Sequence, residues 1–140
     1  MAATVINYRG GGPPGGYGVH TIYTNSTGGN VRIIFQDCGS MGGSGNIVFR
    51  YGDPSHAGGE NGLIYFTLPA NTRFGKNLAV CSPSNTFSLG GNGAYATGGA
   101  PVAVPTEIML ADTHILKVDV ASGIDDWGFQ YSILVIPEGN

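Results

Sequence analysis

Apolar and polar residues alternate with a period of two through most of the chain, the mark of strands that bury one face. Val31, Ile33 and Phe35 stand opposite Asn30, Arg32, Ile34 and Gln36, and Ile47, Phe49 and Tyr51 alternate with Asn46, Val48 and Arg50. Ile64, Phe66 and Leu68 do the same against Leu63, Tyr65 and Thr67, as do Leu116, Val118 and Val120 against Ile115, Lys117 and Asp119. The last run sets Trp127, Phe129, Tyr131, Ile133 and Val135 on one side. Turn clusters separate the runs, among them Asn25-Ser26-Thr27-Gly28-Gly29-Asn30 and Gly90-Gly91-Asn92-Gly93, because Gly and Asn accept positive φ at low cost. The pattern predicts eight or nine strands near 17–24, 31–37, 46–51, 62–68, 76–81, 85–89, 105–111, 113–120 and 127–136, with a bulge or tight bend at Asp112. No stretch free of Gly and Pro carries helical periodicity, so no α-helix is expected. Short strands at this spacing fit an all-β fold, an antiparallel β-sandwich of jelly-roll-like form.

The β-prone stretch Thr4–Tyr8 precedes Arg9 and the run Gly10-Gly11-Gly12-Pro13-Pro14-Gly15-Gly16, which opposes packing. The expected organisation is therefore a flexible arm and linker over residues 1–16 and one sandwich domain over 17–140. A chain of 140 residues leaves no room for a second core. Val5, Ile6 and Tyr8 are the candidate partner-binding residues of the arm, adding as an edge strand to an adjacent chain, with Arg9 pairing an acidic neighbour at the rim.

Composition sharpens this picture. Glycine occupies 25 positions and charged residues only 11%, so Gly, Asn, Ser and Thr cover much of the surface, and close protein contact costs little desolvation. The net charge is −3, and Arg9, Arg32, Arg50, Arg73, Lys76 and Lys117 are scattered, so nucleic acid is not an expected partner. The longest apolar run, Ile133-Leu134-Val135-Ile136, is too short for a membrane helix, and the N-terminus lacks the pattern of a secretory signal. Cys38 and Cys81 allow at most one bridge, and so sparse a pair favours two thiols.

No catalytic signature emerges, and neither a cofactor nor a metal site is expected. Gly10-Gly11-Gly12-Pro13-Pro14-Gly15 matches the dinucleotide-binding pattern in form, but Pro13-Pro14 and Gly16 deny the helix whose amides would meet a pyrophosphate. Asp112 and His114, two apart, would face one side of a strand as a carboxylate orienting an imidazole, yet no nucleophile stands in a recognisable setting. Asp125-Asp126 with Glu107 is the weighed calcium candidate, set against an Asp-rich turn. Asn25-Ser26-Thr27 meets the glycosylation sequon, and turn chemistry is the expected reading. Seven tyrosines suit an interface or a sugar-binding face, or half-buried sandwich positions.

The arm, the glycine-rich sandwich pattern, Gly18-Val19-His20-Thr21-Ile22-Tyr23-Thr24 leading to Val31-Arg32-Ile33-Ile34-Phe35, and the closing Phe129-Gln130-Tyr131-Ser132-Ile133-Leu134-Val135-Ile136-Pro137-Glu138 resemble small virion proteins of tailed bacteriophages. The resemblance implies a non-enzymatic structural protein of the virion, assembled in the host cytoplasm. It would be a capsid decoration or cement protein, homotrimeric and in contact with the major capsid protein. The alternative is a receptor- or glycan-binding module of a tail fibre.

Overall fold

The computed structural model describes residues 2–9, 18–40, 44–55, 62–70, 72–77, 88–89, 93–94, 100–101, 104–123 and 129–139, and among these the chain is all β, with no helix. The strands are β1 (Thr4–Arg9), β2 (Gly18–Thr24), β3 (Asn30–Ser40), β4 (Asn46–Gly52), β5 (Ile64–Pro69), β6 (Thr72–Phe74), β7 (Ser88–Leu89), β8 (Gly93–Ala94), β9 (Ala100–Pro101), β10 (Glu107–Leu110), β11 (Ile115–Val120) and β12 (Phe129–Gly139). The larger sheet runs β1-β12-β3-β6-β9, with β10 also paired to β3, and the smaller runs β2-β11-β4-β5. Pairing is antiparallel apart from the two-residue contact of β6 with β9; β7 and β8 form a separate pair.

The two sheets meet in a sandwich-like core built from the alternating positions. Val31, Ile33 and Phe35 of the larger sheet and Ile47, Phe49 and Val118 of the smaller are fully buried. Phe35 and Phe74 from one sheet interlock with Phe49 and Phe66 from the other, with ring centroids 5.2–5.6 Å apart. Such pairs add about 0.5–1.5 kcal/mol each beyond their burial, so this quartet ties the sheets together. The β3–β12 register shifts between Ser132, opposite Asp37, and Ile133, opposite Phe35, which leaves Gln36 as an extra residue. The bulge changes which side chains face inward: Cys38 joins the core, while Asp37 lies with Arg73 in a buried ion pair of 2.7 Å.

The arm expectation is corrected over its first part. Thr4–Arg9 pairs with β12 of its own chain, from Thr4 opposite Val135 to Arg9 opposite Gln130, and forms the edge of the larger sheet. The cause is that the eleven-residue β12 offers a full edge to a short strand, and Ile6 and Tyr8 then bury against it, Tyr8 stacking on Tyr131 at 5.8 Å. The linker reading of residues 10–16 lies outside the described residues. Of the strand expected at 76–81, Lys76 and Asn77 lie outside any strand: they follow the short strand Thr72–Phe74 and donate their backbone N–H groups to the Phe35 and Gln36 carbonyls along the bulge. Residues 78–81, the N-terminal part of the strand expected at 85–89, and Trp127 lie outside the described residues.

Candidate functional site

One loop junction organises an end of the sandwich. Asn25 is fully buried, and its Nδ2 donates to the carbonyls of Gly29, Leu110 and Ala111 at 2.8, 3.1 and 2.9 Å. Its Oδ1 accepts the Thr27 N–H and hydroxyl at 3.1 and 2.8 Å, the local turn that an Asn at this position makes. The Asn25 backbone meets His114 O and Thr113 N, and Gly28 N–H donates to Asp112 Oδ1 at 2.9 Å. The sequon asparagine is thus a clamp between the β2–β3 and β10–β11 turns, as the turn reading expected. The bend at Asp112 is a turn, closed by His114 N–H on Ala111 O, in which Thr113 takes φ 72°. Here the chain passes from the larger sheet to the smaller. Asp112 and His114 therefore do not share a strand face, and Asp112 is engaged with Gly28.

Beside this clamp opens a groove of about 510 Å³, formed where β3 and β5 begin and β4 and β10 end. Asn30, Tyr51, Asp53, Ile64, Met109 and His114 line it, together with Gly52, Gly62 and Ala111. Ile64 and Met109 are 62% and 51% exposed, so the apolar lining faces solvent. Asp53 Oδ1 accepts the Ser55 N–H and hydroxyl at 2.9 and 2.8 Å, which fixes the carboxylate at the rim. A mixed lining of this size accommodates a small ligand.

The other sequence candidates fall elsewhere. Val5 points outward from β1, while Ile6 and Tyr8, half-buried, pack against the chain's own core, and burial pushes the Tyr8 and Tyr131 phenols up. Arg9 lies opposite Gln130 in the β1–β12 register. Glu107, weighed as a calcium ligand, holds Lys76 Nζ at 2.8 Å and Arg32 at 3.7 Å, and the Lys76 hydrogen bond keeps its carboxyl below the usual range. Asp125-Asp126 and Cys81 lie outside the described residues, and no cluster of metal-ligating side chains occurs among the described ones. Tyr23 and Tyr51 are half-buried, whereas Tyr65 is 63% exposed beneath the Arg50 guanidinium, 5.3 Å from its ring centre.

Alternation could not single out Gln130, an outward position of β12 that is nevertheless fully buried, with neither amide atom hydrogen-bonded among the described residues. Comparison with known proteins gives no significant match: no family model, no curated protein and no solved structure.

Proposed function

We propose that the chain is a non-enzymatic structural protein of a virion, a jelly roll that decorates the capsid as a homotrimer. The jelly-roll reading is supported by the strand order, with β1-β12-β3-β10 in one sheet and β2-β11-β4-β5 in the other. Apart from β6 and β9, which extend the first sheet, these are two sets of four strands in which the chain alternates between sheets at β1, β2 and β3 and again at β10, β11 and β12, the arrangement that two Greek keys produce.

The observation that carries the assembly reading is the placement of exposed apolar side chains. Val5, Val19, Ile64, Tyr65 and Met109 are the large hydrophobic residues exposed among the described residues. They sit on β1, β2, β5 and β10, each of which pairs on one side alone among the described residues. Solitary soluble sandwiches protect such edges with charge or proline, and apolar edges favour association. Sedimentation of the purified protein tests this, with a mass near three times 14.4 kDa expected. A mass of one chain at micromolar concentration contradicts the trimer. The second reading, a receptor- or glycan-binding module of a tail fibre, draws its support from the groove beside His114.

A further inference from the structure

The groove beside the Asn25 clamp has a chemistry that selects among ligands, and we propose that it binds a neutral sugar ring. This deepens the second reading by naming the ligand class and the residues; it does not depend on where in a particle the protein sits. Among the described residues the lining contains no Lys or Arg; it has Asp53 at its rim and belongs to a chain of net charge −3, so phosphate, sulfate and carboxylate ligands are opposed by charge. A wholly apolar ligand would take the Asp53 charge and the Asn30 and His114 polar groups out of water without replacing the solvation they lose, which costs free energy. A pyranose meets both demands. Its hydroxyls donate to a carboxylate and an amide oxygen and accept from amide and imidazole N–H groups, while its C–H face covers Ile64, Met109 and the Tyr51 side chain.

The walls are also fixed before any ligand arrives. Asn25 locks the turn that carries His114 to the one that precedes Asn30, and Ser55 holds Asp53 in place. Prearrangement of this kind lowers the ordering cost of binding.

The test uses the full chain, titrated by amide NMR with D-galactose, D-mannose, D-glucose and N-acetyl-D-glucosamine at millimolar concentrations, with inorganic phosphate and butylammonium as separate arms. The expected result is saturable shifts at Asn30, Asp53 and His114 with at least one sugar and none with phosphate. Ala111→Phe fills the groove, since Ala111 contributes only its carbonyl to the clamp, and should abolish the shifts. Asp53→Asn keeps the turn at Ser55, because the amide oxygen accepts the same bonds, and should weaken the sugar about tenfold. Circular dichroism identifies any variant that fails to fold, in which case the other decides. Shifts with phosphate or butylammonium alone, no shift with any sugar, or sugar shifts that persist in a folded Ala111→Phe protein each overturn the proposal. Sugar binding by a protein absent from tail fibres would overturn the second reading and leave this one standing.

Discussion

Replacing Asn25 tests the clamp on which the groove and the passage between the sheets depend. In Asn25→Ala, two amide hydrogens shared among three carbonyls disappear, together with two bonds accepted from Thr27. Thr27 is only partly buried and its hydroxyl also reaches Gly29 O at 3.1 Å, so the accepted half counts for little. The Leu110 carbonyl lies in a buried bond and cannot turn to water. With about 1 kcal/mol for each net hydrogen bond and 1–3 kcal/mol for a buried group left unpaired, the loss should be about 2–4 kcal/mol. That is a large share of the 5–15 kcal/mol typical of a domain. Asn25→Asp should be worse at neutral pH, because a carboxylate oxygen then faces the three carbonyls. The carbonyls should raise its native pKa, so the excess loss should be present at neutral pH and relieved as pH falls through that raised value. Urea unfolding followed by circular dichroism, at pH 7 and pH 5, measures both variants. An Asn25→Ala loss below about 1 kcal/mol, or an Asn25→Asp protein as stable at pH 7 as the parent, would refute the argument.

Four further outcomes are expected. Gly39→Ala should destabilise by about 2 kcal/mol or more in the same assay, because its Cβ would overlap the Thr72 carbonyl and lie 2.9 Å from Arg73 Cα, both backbone atoms. Gln130→Met should leave stability unchanged or raise it by about 1–2 kcal/mol, since it removes two buried amide atoms that have no hydrogen bond among the described residues. Asp37→Asn should cost about 3–5 kcal/mol by leaving Arg73 charged and buried, whereas the double change Asp37→Leu with Arg73→Met should cost clearly less in a double-mutant comparison. Glu107 has a lowered native pKa, first through the Lys76 hydrogen bond, so its contribution is full above the ordinary carboxylate value and is lost as pH falls through the native one. Acid titration of stability should therefore flatten in that window in Glu107→Gln.

The main strands were legible because alternation reports directly on burial: Val31, Ile33, Phe35, Ile47, Phe49, Val118, Ile133 and Val135 are all core residues. What sequence could not supply was long-range pairing. Thr4–Arg9 reads locally as a tethered strand, and only the partner more than a hundred residues away, β12, makes it part of the sheet. The bulge at Gln36 was hidden for a related reason. An extra residue reverses the inward face partway along β3, so Cys38 and Asp37 exchange the places that strict alternation assigns them. At the site, Asn25 and Asp112 were visible as turn residues, but their joining depended on two turns far apart in sequence. The groove was less legible still, since Asn30, Asp53, Ile64 and His114 come from four separate segments.

Labelling the protein on purified virions tests the central claim most directly. Gold-conjugated antibody, read by electron microscopy, should mark positions distributed over the capsid lattice. Label confined to the tail tip would transfer the role to the fibre module, and particles without label would contradict a virion structural function altogether.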